Sequence, residues 1–379
     1  MGKWEVAAFA DVLDIKNGKS QKSVENPNGE YPIYGSGGVM GYADDYLCDG
    51  NTVIIGRKGT INSPIYASEP FWNVDTAFGL CPNEKKLFPK YLYYFCVRFD
   101  FEELNTTVTI PSLTKTNLLN IQIPMPPLPT QQKIADVLDR ASALIEKRKA
   151  QIAKLDLLVK SQFVTMFGDP VVNPMGWEIK ELRDFCDLMN GYAFKSSDYV
   201  IKSNVMNCRM SNIRPDGSFD ASYNPKYLPD NFVARHKEFI LQDGDVIIAM
   251  TDMANAPKIL GVPTIVATGG TTMLLNQRVG KLVFLDTSNI NRVYLMHYLS
   301  QPFIRKELAR QAGTGLQVNI GKPAILSSSV LLPPLPLQTH FADFVRAVDK
   351  SKAQMQRGLC ELELLYKALM QRCFSGEMF

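Results

Sequence analysis

The chain states one unit twice, in the same order. Residues 4–18 open with Trp4-Glu5 and close with Asn17-Gly18, and residues 177–191 repeat that pattern with Trp177-Glu178 and Asn190-Gly191. Asp11 and Asp14 coincide with Asp184 and Asp187, with apolar matches between them. Further on, Pro126-Pro127-Leu128-Pro129 returns as Pro333-Pro334-Leu335-Pro336, and Ala135-Asp136 as Ala342-Asp343. Globular segment, proline step and long helix therefore recur as one block. Two copies of one unit suit a protein that meets two similar targets at a set distance.

The helices carry the clearest periodicity. From Gln131 to Met166, steps of four and three connect Ile134, Leu138, Ala141, Ile145, Ile152, Leu155, Val159 and Met166, with Arg148 and Gln162 in the remaining slots. This is a heptad seam rather than the wider stripe of a surface helix. The same slots 207 positions on hold Phe341, Val345, Val348, Lys352, Met355, Leu359, Leu362, Tyr366, Leu369 and Cys373. Prolines before each seam cannot stand inside a helix, and Gly168 with Pro170 ends the first. The spacing predicts helices over 131–166 and 338–373. Each would span about 54 Å at 1.5 Å per residue, and helices of that kind draw their stability from a packing partner.

The remaining segments read as β-rich with some helix. Thr52–Ile55, Asp245–Ile248 and Gly280–Phe284 are short β-branched or aromatic runs bounded by turn residues. Pro89–Phe95 and Asn291–Leu299 predict matching amphipathic helices, with Tyr91 and Leu92 aligned to Tyr294 and Leu295. At 379 residues, a norm of roughly 150 per domain gives two or three domains.

Composition narrows the class. With 46% hydrophobic and 21% charged residues, the chain can bury cores and is not a disordered one. It has no apolar run of about 18 residues and no basic-then-apolar start, which predicts a cytoplasmic protein. Seven cysteines without a Cys-x-x-Cys pair argue against a zinc site or a disulfide framework. A net charge of only +3 leaves nucleic-acid binding to local patches.

No residue set proposes chemistry. Gly35-Ser36-Gly37-Gly38 lacks the Gly-Lys-Ser/Thr of a phosphate loop and predicts a turn between strands. His236, His297 and His340 have no ligand spacing, and no cysteine has a positioned base. There is no glycine-rich cofactor motif and no Asn-Pro-Pro-aromatic motif. No catalytic residue, metal or cofactor is expected. The globular segments instead carry polar, basic loops. Gly56-Arg57-Lys58-Gly59-Thr60 follows an apolar strand, so its side chains should project from a strand end, where Arg and Lys suit phosphate or guanine contacts. In the second copy Gln277-Arg278 and Gly313–Asn319 play that part, with Lys195 and Arg209, and Gln or Asn can pair with adenine.

The Trp-Glu…Asn-Gly openings, Gly56-Arg57-Lys58-Gly59-Thr60, the Pro-Pro-Leu-Pro-x-Gln steps at 126–131 and 333–338 and the heptad helices act in combination. With them the chain resembles, over essentially its whole length, the specificity (S) subunit of a Type I restriction–modification system. The resemblance implies an α/β (mixed α+β) fold. Two β-containing target-recognition domains are joined by two long antiparallel coiled-coil helices in a pseudo-twofold repeat. The expected domains are residues 1–125 (first recognition domain), 126–170 (proline step and spacer helix), 171–332 (second recognition domain) and 333–379 (second step and helix).

It further implies a non-catalytic subunit that reads a bipartite site in double-stranded DNA. Such a subunit holds two methyltransferase subunits, which use S-adenosylmethionine, and through them the restriction/translocase subunits. Where the first unit has Gly56-Arg57-Lys58-Gly59 the second has Ala249-Met250-Thr251-Asp252, a departure expected of domains that meet different DNA. The expected DNA-facing residues are Lys19, Arg57, Lys58, Thr60, Lys195, Arg209, Arg278, Gln317 and Asn319. Methyltransferase docking is expected on exposed apolar residues outside the seam, at Leu144, Leu158, Phe163, Leu365 and Met370. The competing class is a coiled-coil scaffold whose two globular units bind proteins.

Overall fold

The repeated sequence returns as a repeated strand order. The computed structural model describes residues 4–105, 110–253, 257–285, 287–313 and 317–379. It divides into a first unit, residues 1–152 with 354–379, and a second, residues 153–353. The first unit has strands β1 (Val6–Ala8), β2 (Leu13–Asn17), β3 (Tyr31–Gly35), β4 (Gly38–Ala43), β5 (Thr52–Gly56), β6 (Ile65–Ala67), β7 (Trp72–Asn73), β8 (Ala77–Pro82) and β9 (Gln122–Pro124). Its helices are α1 (Phe9–Val12), α2 (Pro89–Arg98) and α3 (Lys115–Leu119), and the long α4 (Leu128–Phe167) starts in it. The second unit has β10 (Glu178–Glu181), β11 (Cys186–Asn190), β12 (Val205–Cys208), β13 (Tyr227–Leu228), β14 (Ile240–Leu241) and β15 (Val246–Ala249). It continues with β16 (Thr251–Met253), β17 (Pro263–Ile265), β18 (Thr272–Leu275), β19 (Val279–Phe284), β20 (Gln317–Asn319) and β21 (Ser329–Leu332). Helices α5 (Phe232–Arg235), α6 (Arg292–Leu299), α7 (Pro302–Gln311), α8 (Lys322–Leu326) and the start of the long α9 (Leu335–Ser375) complete it.

An antiparallel sheet ordered β2-β8-β5-β6 in the first unit has its counterpart in β11-β19-β15-β17 in the second. A second sheet, β4-β3-β7 or β13-β12-β18-β14, contains one parallel pair in each unit, β3 with β7 and β12 with β18. The ribbons β1-β9 and β10-β21 close each unit. The fold is mixed α+β, and α2 and α6 stand where the aligned tyrosines predict them.

The repeated opening motif is explained by contacts found twice. A Cβ on Gly18 would lie 1.8 Å from the Val74 carbonyl oxygen, and one on Gly191 would lie 2.3 Å from that of Asn276. Only glycine lets the neighbouring backbone pass so close. Asp14 pairs with Lys115 at 3.6 Å, and Asp187 pairs with Lys322 at 2.6 Å. Lys322 and the Leu188 amide hold the Asp187 carboxyl below its ordinary pKa.

Both long helices start three residues before the sequence expectation, at Leu128 and Leu335. The reason is that Pro129 and Pro336 sit in the first turn, where no backbone N–H partner is needed. Gly168, at φ +78°, forms the left-handed cap. Every heptad position of both seams is at least half-buried.

Within the first unit the start of α4 lies beside the end of α9. Ile134 and Leu138 share a core with Met370, Cys373 and Phe374, and Lys149 meets Glu363 at 3.6 Å. Within the second unit Val159, Phe163 and Phe167 share a core with Phe341, Val345 and Val348, and Asp156 meets Lys352 at 2.6 Å. In each unit the two helices run antiparallel. Their seam ends also insert into the domain cores, so helix partner and globular domain bury them together. Among the described residues no helix is long and apolar enough to cross a membrane.

One buried side chain fixes each helix to its domain. The Phe88 amide donates to Gln131 Oε1 at 2.8 Å, and Gln131 Nε2 donates to the carbonyls of Pro126 at 2.8 Å and Lys86 at 3.0 Å. In the second unit the Asn291 amide donates to Gln338 Oε1 at 2.8 Å, and Gln338 Nε2 donates to Pro333 at 2.7 Å and Asn289 at 3.0 Å. Gln131 is 1% and Gln338 0% exposed. Beside each, a tyrosine hydroxyl, Tyr91 or Tyr294, donates at 2.8 Å to a carbonyl in the closing ribbon strand. Removing the carboxamide leaves one buried donor and two acceptors unsatisfied. Gln338→Ala is expected to cost about 2–4 kcal/mol in urea unfolding. A cost below about 0.5 kcal/mol would show that the amide does not carry the junction.

Candidate nucleic-acid interface

In the first unit β5 ends at Gly56 and turns through Arg57–Thr60. The Arg57 amide donates to the Thr76 carbonyl at 2.7 Å, and its carbonyl accepts from the Leu113 amide at 2.9 Å. Lys58 bridges to Ser112, and Gly59 takes φ +82°, which its glycine permits. Three chain segments thus meet at this strand end. The half-buried Arg57 lies with its guanidinium carbon 5.8 Å from the Phe78 ring, and Nη1 reaches the Asp75 carbonyl at 3.4 Å. Lys58, Thr60 and Lys19 are exposed. The Lys19 backbone is pinned by Asn73 and by the Trp72 indole N–H, which donates to its carbonyl at 3.1 Å.

The same frame closes the matching strand of the second unit. The Met250 amide donates to the Arg278 carbonyl at 3.0 Å, and the Ile320 amide donates to the Met250 carbonyl at 2.8 Å. β16 pairs with β20, matching Thr251 to Asn319 and Met253 to Gln317. The Thr251 hydroxyl donates to Asn319 Oδ1 at 2.7 Å. The correspondence runs Arg57 to Met250, Lys58 to Thr251, Thr76 to Arg278 and Ser112 to Asn319. The backbone is kept and the side chains are exchanged. Arg57 is replaced by a methionine buried in the core, while an exposed arginine, Arg278, appears on the adjoining segment.

This frame brings together Arg278, Gln317 and Asn319. Thr314, Gly315 and Leu316 of the predicted loop lie outside the described residues. Lys195 sits apart, exposed, with its amide donating to Asp198 at 2.7 Å. Arg209 is half-buried, and its Nη2 donates to the Asn224 carbonyl at 2.7 Å. Among the described residues none of Lys19, Arg57, Lys58, Lys195, Arg209 or Arg278 forms an ion pair. Sequence reasoning passed over Thr76, Ser112 and Tyr192. Tyr192 occupies the place of Lys19 with its amide on the Leu275 carbonyl at 2.9 Å, and its ring lies 4.2 Å from His236. Pairing the strands across both copies would have exposed these positions.

The glycine-rich turn lies where the sequence predicts it. Ser36 and Gly37 form the turn between β3 and β4. His297 packs on Phe341 with ring centres 5.3 Å apart, and burial lowers its pKa to about 4. Among the described residues no group of three or more His, Cys, Asp or Glu could hold a metal.

Two expected exposed residues on the helices are not exposed. Phe163 (1%) stacks on Tyr294 with centres 5.8 Å apart, and Met370 (6%) lies in the first unit's core. The seam places them outside, but at the helix ends the globular core covers that flank. Leu144 (58%), Leu158 (45%) and Leu365 (66%) are exposed, as are Leu157 (63%) and Leu364 (67%). The exposed leucines belong to a repeated string, Leu155-Asp156-Leu157-Leu158-Val159-Lys160 and Leu362-Glu363-Leu364-Leu365-Tyr366-Lys367.

Two domains of one mixed α+β topology, each ending a buried strand in a polar three-segment frame, define a duplicated recognition protein. Residues 1–155 and 174–363 match the family model for the Type I restriction modification DNA specificity domain. The chain belongs to that family and carries its domain twice, in the role of specificity subunit rather than catalytic one. It is similar to the specificity subunit of the type I restriction enzyme MjaVIII of Methanocaldococcus jannaschii, at 23% identity over 99% of this chain and 93% of the relative. It is also similar to that of EcoKI from Escherichia coli, at 24% identity over 85% of this chain and 73% of the relative. In fold it resembles the crystal structure of the type I restriction-modification S subunit from M. genitalium, with TM-score 0.60, 16% identity and coverage of 98% and 96%.

Proposed function

We propose that this chain is the non-catalytic DNA-recognition and scaffold subunit of a cytoplasmic type I restriction–modification complex. Each domain reads one half of a bipartite duplex site. The helices dock two methyltransferase subunits and, through them, the restriction/translocase subunits. The observation that carries the reading is the one backbone frame bearing two side-chain sets, with Arg57 and Lys58 in one domain and Arg278, Gln317 and Asn319 in the other. A fixed frame with exchanged polar side chains suits two readers of different base sequences, since base edges are distinguished by donor and acceptor placement. Lys19 and Thr60 beside the first frame, with Lys195 and Arg209 outside the second, complete the proposed DNA-facing set.

Arg57→Ala is expected to weaken binding by about 1–3 kcal/mol and to relax specificity in one half-site, and Arg278→Ala should do so in the other. Binding is measured on duplexes carrying one altered half at a time. Equal loss on every sequence would make either residue a phosphate contact, and no loss would remove it from the interface. Duplex affinity without salt dependence would favour the protein-binding scaffold instead.

Docking is assigned to Leu144, to Leu157 and Leu158, and to Leu364 and Leu365, exposed apolar residues beside a helix seam. Their repetition suits two copies of one partner. Leu158→Glu with Leu365→Glu should block co-purification of a methyltransferase subunit while leaving duplex binding by the chain unchanged. Assembly at wild-type affinity would place docking elsewhere.

Helix length then sets the gap between half-sites. One heptad added to or removed from both helices keeps the seam in register and shifts the domains by about 10 Å, or roughly three base pairs. Bending of the DNA absorbs part of such a change. Mapping methylated sites with the cognate methyltransferase reads the gap, and an unchanged gap in an active complex would sink the ruler.

A further inference from the structure

In the first unit two cysteines from distant parts of the sequence meet over one strand. Gly79 and Cys81 project to the same face of β8, being two residues apart. A Cβ on Gly79 would lie 2.6 Å from Cys48 Sγ, so the missing side chain makes the space that the Cys48 thiol fills beside Cys81. Cys48 is fully buried and held at both ends, its amide and carbonyl each bonded to Phe71 at 3.0 Å. Its thiol donates to Asn73 Oδ1 at 3.4 Å. Cys81 is half-buried, less enclosed than Cys48. Thr52, whose hydroxyl donates to the Asp49 carbonyl at 2.9 Å, also places that oxygen 3.7 Å from Cys81 Sγ.

We propose that Cys48 and Cys81 form a peroxide-oxidisable dithiol, with the accessible Cys81 as attacking thiol and the buried Cys48 as resolving thiol. The surroundings match the division of labour. Cys48 at its side, and after it the Thr52 hydroxyl and the Lys16 ammonium, lower Cys81 against the opposing effect of its own desolvation. Cys81 beside it and its own burial raise Cys48 and keep it protonated. The charged groups facing the pair are Lys16 and Asp14 from β2 and Asp49 from the loop ahead of β5. Lys16 is positioned by the Leu47 carbonyl at 3.1 Å and Asp49 at 3.6 Å. A thiol held below its ordinary pKa, in reach of solvent and next to a second thiol, is the arrangement that oxidises reversibly.

The chemistry takes two steps. Cys81 thiolate attacks one oxygen of hydrogen peroxide, forming an S–O bond as the O–O bond breaks, and the departing hydroxide becomes water with the proton that Cys81 gave to solvent on ionising. Cys48 sulfur then attacks Cys81 sulfur. The S–S bond forms, the S–O bond breaks, and the departing hydroxide takes the Cys48 proton as water. Two thiols and one peroxide become one disulfide and two waters, and a dithiol reductant reverses the change. The bond would tie the loop ahead of β5 to the end of β8, the two strands whose far ends hold Arg57 and Thr76.

The test uses the full chain with Cys360→Ser, since Cys360 is the exposed cysteine among the described residues. Hydrogen peroxide treatment, thiol blocking and non-reducing peptide mapping should give a loss of about 2 Da and a Cys48–Cys81 linked peptide. Dithiothreitol should restore both thiols. Cys48→Ser should leave a sulfenic acid at Cys81 that dimedone traps, and Cys81→Ser should leave Cys48 unoxidised. Lys16→Met should raise the pH midpoint of Cys81 alkylation and slow its oxidation several-fold, with Lys16→Arg restoring both. The proposal is overturned if the unsubstituted pair stays fully alkylatable after peroxide, or if Cys81 passes to sulfinic acid without a linked peptide. The mapping of the unsubstituted pair decides even where a Cys48 variant does not fold.

Discussion

A buried carboxamide decides where each long helix leaves its domain. Gln131 and Gln338 each spend their acceptor on the amide just ahead of a short helix and their donors on two carbonyls, one of them in the proline step. A glutamine in such a site has one satisfied orientation, because swapping its oxygen and nitrogen would set donors against a donor and acceptors against acceptors. The helix therefore cannot rotate or slide at its origin without losing all three bonds. Its phase is fixed there, and that phase carries down the seam to set which leucines face outward. Leu157 and Leu364 lie at equal distances from the two glutamines, so equal exposure in both copies follows from one junction used twice.

The same economy separates scaffold from reader inside each domain. The amide and carbonyl of Arg57, and of Met250, are both consumed by neighbouring segments. Backbone bonds do not depend on side-chain identity, so this position can change residue without loosening the frame. It has done so. In one domain the side chain is a half-buried arginine over Phe78, and in the other a methionine in the core, with the arginine moved to the adjoining segment at Arg278. A recognition surface built this way can diverge while the strand ends that present it stay put.

Local signals made much of this legible. The four-and-three steps of the seam, the tyrosines of α2 and α6 and the Ser36-Gly37 turn each rest on residues close in sequence, where periodicity and turn chemistry act directly. What stayed hidden depends on distant partners. Gln131 is visible in its proline motif, but its purpose lies with Lys86 and Phe88, more than forty positions earlier. The parallel pairs β3 with β7 and β12 with β18 are equally non-local. Phe163 and Met370 mislead because a heptad ruler assumes a free helix, whereas here each helix end is also a wall of a domain core. The polar residues of the strand ends were partly legible, since Arg57 and Lys58 follow a buried run. Thr76 and Ser112 became neighbours only through cross-strand pairing.

Charge distribution carries the last constraint. The chain has 41 basic and 38 acidic residues, so it cannot coat a polyanion. Along the helices some basic groups are engaged by acidic ones, as in Lys149 with Glu363 and Lys352 with Asp156. The arginines and lysines without ion pairs among the described strand-end residues are few: Lys19, Arg57, Lys58 and Arg278. On the proposed reading, each neutralised phosphate contributes a salt-dependence slope of about 0.9. A handful of such groups gives shallow, weak non-specific binding by the chain itself. Low background of that kind favours discrimination, because non-specific sites compete through the same phosphate contacts that specific ones share. The bulk of the affinity for duplex must then come from surfaces that the docked subunits bring. This division, with reading in one chain and holding in its partners, fits a protein whose helices repeat exposed leucines, Leu157 and Leu158 in one and Leu364 and Leu365 in the other.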